Sequence, residues 1–137
     1  MKRNKMINLA SVSMILISAF SLLSVSLMAF VSPQAVMDLV QVKLNNTDAY
    51  SSIRGVYGGV GLTIVITLIY LAVKDVKKGL GFLTMLWGLY AISRLMTMLT
   101  EGALGAFGTQ WIVIETVFCL LCLTLLLLKR RQLVAKI

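Results

Sequence analysis

"SSIRGVYGGVGLTIVITLIYLAV", residues 51–73, places an arginine and four glycines at the head of an apolar run that carries no further charge. A helix needs about 20 mainly apolar residues to cross a hydrocarbon core about 30 Å thick, and residues 52–73 meet that length. Moving outward along the chain, three more stretches have the same character, at roughly 7–31, 80–100 and 110–128. The whole 137-residue chain is 59% hydrophobic and 13% charged, against about 45–50% and about 25% for a soluble globular domain. The expected fold class is therefore an all-α integral membrane protein. Its expected form is an antiparallel four-transmembrane-helix bundle, a single domain over residues 1–137, with a short outer-surface segment between helices 1 and 2. So little polar chain remains that a separate catalytic domain has no room.

The formal net charge of +8 raises the question of a nucleic-acid partner, and its distribution answers it. Lys2, Arg3 and Lys5 precede the first span; Lys74, Lys77 and Lys78 separate the second from the third; Lys129, Arg130, Arg131 and Lys136 follow the fourth. Alternate threading puts all three clusters on one side and leaves only Lys43 in the loops of the other. This is the positive-inside pattern, with both termini cytoplasmic and no role for nucleic acid. The same basic rim suits anionic lipid head groups, at about 1 kcal/mol for each basic side chain near the surface. "MKRNKM" followed by apolar chain resembles a signal peptide, but a signal h-region spans about 7–15 residues. The run to Val31 is longer and "LMAFVS" is a poor cleavage site, so the first helix is expected to be retained.

In the largest loop, Ser32 and Pro33 read as N-cap and first residue of a short surface helix. "LVQVKL" alternates and fits a brief extended segment. Asp48, with Ser51 three residues on, is expected to cap the second span. Asn45-Asn46-Thr47 matches a glycosylation sequon, which would mean nothing in a bacterial membrane.

Charges inside the spans carry more information. On a helix beginning near Ala49, Arg54, Gly58, Gly61 and Val65 share one face, and Gly55-x-x-x-Gly59 adds a second small stripe. Such spacing lets neighbouring backbones approach closely, or leaves a cavity for a ligand beside the arginine. Arg94 lies about 21 Å above the start of its span near Leu80, in the outer third of the core. Glu115 reaches a similar depth from the opposite direction, and Glu101 follows Arg94 by seven residues, on the same face if the helix continues. A charge within the membrane costs about 2.5–3.5 kcal/mol on insertion scales, so it faces protein and is paired. Arg54, Arg94 and Glu115 are expected to converge on one polar pocket in the outer half, with Glu101 at its rim.

"RGVYGG" in the second span, "SRLMTMLTEG" closing the third and Glu115 early in the fourth resemble the domain of unknown function 4345 family, small four-helix bacterial membrane proteins. The resemblance covers roughly residues 7–128 and anchors on Arg54, Tyr57, Gly58, Gly59, Arg94, Gly102 and Glu115. Where the family commonly has an aspartate before the glycine, this chain has Glu101. The resemblance implies the four-helix fold and a multi-pass protein of the bacterial inner membrane. It implies no activity.

The chain has no histidine, the usual proton shuttle and commonest metal ligand. Carboxylates beside arginines stay charged and make poor general acids. Arg54 and Arg94 can instead present forks to a carboxylate, a phosphate or a lipid head group. The rival constellation is Cys119-Leu-Leu-Cys122, the spacing of a thiol redox pair that would serve a thiol–quinone component. Its mid-span position favours inert thiols, and a continuous helix is poor geometry for a disulfide. The eight methionines read as packing filler rather than copper ligands, and Tyr50 and Trp111 suit an interfacial belt. No catalytic residue, cofactor or metal ligand set is expected. Transport is the weakest reading, because four short helices enclose little pore unless they oligomerise. The expected role is a non-enzymatic membrane module binding a lipid, a small anionic ligand or a partner membrane protein at the Arg54, Tyr57, Gly58, Arg94, Glu101 and Glu115 cluster. Homo-oligomerisation is the other way in which such a module would find a partner.

Overall fold

The computed structural model describes residues 2–134, with side chains over 4–131, so Lys136 lies outside the described residues. The described chain is helical with short connections: α1 (Lys2–Val31), α2 (Pro33–Asp38), α3 (Thr47–Ile53), a π-helical segment (Arg54–Val60), α4 (Gly61–Lys74), α5 (Val76–Thr100) and α6 (Ala106–Val134). Four stretches are long and apolar enough to cross a membrane: Asn4–Val31, Thr47–Lys74, Val76–Thr100 and Ala106–Arg131. The shortest has 25 residues, about 38 Å at about 1.5 Å per residue, which exceeds a core of about 30 Å. Such a set of helices is that of a multi-pass membrane protein. Each runs a few residues beyond the apolar stretch that marks it in the sequence, because polar and basic residues at the ends continue the same helix.

Two features fit these helices to an apolar surround. Large apolar side chains point outward along their length, Phe20, Val73 and Leu99 being more than 70% exposed, a surface that water would not tolerate on a monomer. The hydroxyls are consumed locally. Ser11, Ser21, Ser24, Thr63, Thr67, Thr84, Thr116 and Thr124 each donate to the carbonyl one turn back. A hydroxyl satisfied within its own helix leaves no donor stranded in hydrocarbon.

The chain divides into two compact units, one of Leu16–Tyr70 and the other of the chain up to Ile15 together with the chain from Leu71 onward. In the first, Ala29, Val36 and Met37 form a small core against Val25, Met28, Leu44 and Ile53. Gln34 staples the turn beyond α2: its Nε2 donates to Asp38 Oδ1 and the Val42 carbonyl, and its Oε1 accepts the Leu44 N–H. Gln41 sits there at a left-handed φ of 59°, so "LVQVKL" forms a turn and an irregular stretch rather than an extended segment. Ser32 occupies the N-cap position of α2 without a side-chain capping bond. The cap of the second span is Asn46, whose Oδ1 accepts the Ala49 N–H at 2.8 Å, and not Asp48. Asp48 falls in the first turn instead, where its charge complements the helix dipole.

Within the same unit α1 and the second span meet through glycine. A Cβ on Gly58 would lie 3.2 Å from the Phe30 ring, and one on Gly61 would lie 2.2 Å from Ser26 Oγ. Of the residues that the spacing puts on this face, Gly58 and Val65 are buried, Gly61 is half-buried and Arg54 is exposed; Leu68, one turn on, is buried as well. Gly55 and Gly59 face open space, so the second stripe packs against none of the described residues. The Ser26 hydroxyl donates to the Tyr57 carbonyl at 3.1 Å, inside the π-helical segment. Four glycines at 55, 58, 59 and 61 weaken the α-helical preference there, and a wide turn with an outside donor replaces it.

In the second unit α5 and α6 form a hairpin whose partners descend along α6 as α5 rises: Thr84 and Gly88 meet Cys119, while Arg94 meets Glu115 and Phe107. Trp87 packs edge-on against Phe118 with ring centroids 5.3 Å apart. Asp75 caps α5, accepting the Lys78 N–H at 3.0 Å. That bond, first among the causes, holds its carboxyl below the ordinary range, helped by the Lys78 ammonium. Gly102, at φ +106°, carries the chain out of α5 through a conformation that side chains resist.

The contact at Ser26 and Gly61 yields a double-mutant test. Gly61→Ala displaces the Ser26 hydroxyl and with it the bond to the Tyr57 carbonyl, at about 0.5–1.5 kcal/mol. Ser26→Ala removes the same bond and the obstructing oxygen. Unfolding in detergent should show Ser26→Ala/Gly61→Ala losing little more than either single change, and fully additive losses would exclude this contact.

Candidate functional site

A charged group in the apolar part of a span has to be held by another group of the protein, and the α5–α6 hairpin does this for two of them. Arg94 Nε donates to Glu115 Oε2 at 2.7 Å and Arg94 Nη2 donates to Oε1 at 2.9 Å. The pairing is a fork against both carboxylate oxygens, the strongest form of such a contact. Glu115 is 2% exposed and Arg94 22%, so the carboxylate is sealed in and the guanidinium reaches the surface. Phe107 lies under the cation, its ring centroid 5.9 Å from Arg94 Cζ, within the reach of a cation–π contact. A guanidinium has five N–H donors. Two are engaged by Glu115, which leaves three.

Local sequence explains why these side chains are where they are. Phe107, Trp111 and Glu115 recur at intervals of four on α6 and share a face. Phe107 and Trp111 are in contact, with ring centroids 6.0 Å apart. Sequence reasoning passed over Phe107, although that interval was visible. Glu101 is placed differently from the expectation. The helix ends at Thr100, and Glu101 is the C-cap of α5, its N–H bonded to the Thr97 carbonyl. The same-face argument stops there, and its exposed carboxylate accepts the Thr100 hydroxyl.

Arg54, Tyr57 and Gly58 belong to the unit Leu16–Tyr70. Arg54 Nε donates to the Phe30 carbonyl at 3.2 Å. The last four carbonyls of a helix have no partner inside it, and α1 has no basic residue in its own last turn. Arg54 supplies the missing donor and a charge that suits the negative end of the dipole. Tyr57 contributes its backbone carbonyl to Ser26, with its side chain exposed, and Gly58 receives the Phe30 ring. Neither Phe30 nor Ser26 carries a sequence signal for these roles, since the carbonyl is common to all residues and the hydroxyl to nine serines in the first 52 residues.

Cys119 and Cys122 are free thiols on α6. Cys122 is fully buried, and Cys119 Sγ lies 3.4 Å from the Thr84 carbonyl as a donor and 3.3 Å from the place a Gly88 Cβ would take. Gly88 thus allows α5 and α6 to close around sulfur.

Comparison with known proteins places residues 12–126 in the family model described as Domain of unknown function (DUF4345). No curated protein and no solved structure matches the chain.

The fork predicts a coupled response to mutation. Arg94→Gln or Glu115→Gln alone leaves a charge without its partner, at about 3–5 kcal/mol for a buried pair. Each should lower the melting temperature in detergent, while Arg94→Gln/Glu115→Gln, which strands no charge, should recover part of the loss. Arg94→Lys should fall between, because an ammonium keeps the charge and loses the fork. Strict additivity of the two glutamine variants would show that the pair contributes nothing as a pair.

Proposed function

The chain belongs to this DUF4345 family, whose description leaves activity open, and we propose that it is a non-enzymatic protein of the bacterial inner membrane that holds an anionic group beside Arg94. In this reading its four spans form an antiparallel bundle with both termini in the cytoplasm, and the Arg94–Glu115 site lies in the outer half. The ligand is a lipid phosphate, a small anionic molecule or a carboxylate offered by a partner membrane protein; all three present the same chemistry to a guanidinium.

The observation that carries this reading is the asymmetry of the pair. A charge neutralised only for insertion is best buried on both sides, yet here Glu115 is sealed and Arg94 is not. Glu115 and Phe107 fix the guanidinium in position. A pre-positioned fork loses little side-chain freedom when it meets an anion. Glu101, exposed beyond the end of α5, would disfavour approach by ligands of high negative charge.

The test is native mass spectrometry of the protein extracted gently from its own membrane. The wild type should retain an anionic adduct that Arg94→Gln/Glu115→Gln loses, and the adduct's mass distinguishes a phospholipid, a small acid and a second protein. An adduct pattern identical in both, or a wild type that emerges bare, would overturn the proposal. Topology is checked separately with reporter fusions. Those after residue 76 and after the C-terminus should report cytoplasm, and those near Asn45 and Gly105 should report the outside. A C-terminus outside the cytoplasm would remove the four-span arrangement.

A further inference from the structure

The unit formed by the chain up to Ile15 and from Leu71 onward gathers at one end the basic clusters that are far apart in sequence. Lys129 Nζ donates to Asn8 Oδ1 at 2.7 Å, tying the end of α6 to the start of α1. Asp75, at the α4–α5 junction, attracts the same Lys129. Gly79 closes the set, because a Cβ there would lie 2.7 Å from Ile15 Cδ1 and 3.3 Å from Leu71 Cβ. The junction therefore packs tightly against α1.

The charges at this end are not balanced. Among the described residues at this end Asp75 is the one carboxylate, and both of its oxygens are engaged, Oδ1 with the Lys78 N–H and Oδ2 with the Lys78 ammonium at 3.3 Å. Among the described residues the ion pairs are Lys78–Asp75 and Arg94–Glu115. Lys5, Lys74, Lys77, Lys129, Arg130 and Arg131 therefore carry charge without a carboxylate at ion-pair distance. Next to them stand exposed apolar side chains, Met6, Leu9, Val73, Leu127 and Leu128. A free anion would use the charges alone, whereas an anion with acyl chains would use both surfaces.

We propose that this end of the unit is a binding surface for an anionic phospholipid, its phosphate held by the ammonium and guanidinium groups of the rim and its chains lying along the adjoining apolar side chains. The Asn8–Lys129 bond orients one of these cations, and the paired Lys78 and Asp75 take themselves out of competition for the phosphate. The surface is separate from the Arg94 site and does not rest on it.

The experiment measures binding of phosphatidylglycerol and of phosphatidylcholine to the full chain in detergent by native mass spectrometry. The variant is Lys77→Gln/Arg130→Gln/Arg131→Gln, three exposed positions outside every cap and core contact described above. Wild type should prefer phosphatidylglycerol, and the variant should lose that preference by about tenfold or more. Raising salt should weaken the wild type's preference. A charge-keeping variant, Lys77→Arg/Arg130→Lys/Arg131→Lys, should retain it, as should Lys43→Gln. Unchanged phosphatidylglycerol binding in the triple glutamine variant would overturn the proposal. So would displacement of the lipid by inorganic phosphate at constant ionic strength, which would show that the rim takes any phosphate.

Discussion

Hydrocarbon offers no hydrogen bonds, so a polar group set among lipid chains must find its partner within the protein. Most of the arrangement described here follows from that constraint. Serines and threonines spend their hydroxyls on the carbonyl one turn back, Arg54 spends its Nε on the last turn of α1, and Arg94 and Glu115 spend their charges on each other. Insertion of each charge alone would cost about 2.5–3.5 kcal/mol. The two-bond fork is the pairing that such an insertion would require.

The same constraint explains the glycines. Where α1 and the second span approach, a methyl group at Gly61 would collide with the Ser26 hydroxyl that satisfies the Tyr57 carbonyl. Absence of a side chain and presence of a hydrogen bond are thus two aspects of one contact. In a setting where lipid tails are as apolar as leucine, close approach of this kind replaces the hydrophobic effect as the source of association. Gly88 does the equivalent for Cys119 in the other unit. The half-buried Cys119 thiol there is a weak donor to the Thr84 carbonyl.

In the proposed reading, function follows from what the constraint leaves over. At the Arg94 site it leaves guanidinium donors beyond those Glu115 takes. At the basic end it leaves, among the described residues, six cations, because the carboxylate of Asp75 is already engaged by Lys78. The two places differ in kind. The first is a single oriented fork backed by a buried carboxylate, suited to selecting one group. The second is a distributed rim beside apolar surface, suited to a class of lipid.

The sequence by itself determined the helices, because length and apolar content are local properties: the four stretches around 7–31, 52–73, 80–100 and 110–128 all lie within longer helices. It also put Arg94 and Glu115 at one depth, as members of an expected cluster with Arg54 and Glu101; that these two form the fork is a tertiary fact. Local periodicity likewise placed Gly58 and Val65 on one face, and both are buried. What it could not determine were contacts made by groups every residue possesses. The Phe30 and Tyr57 carbonyls, the choice of Asn46 over Asp48 as cap and the end of α5 at Thr100 before Glu101 depend on where a neighbouring backbone lies. Only tertiary structure decides those, because a carbonyl becomes a site when a turn leaves it unpaired and a donor from another helix arrives within about 3 Å.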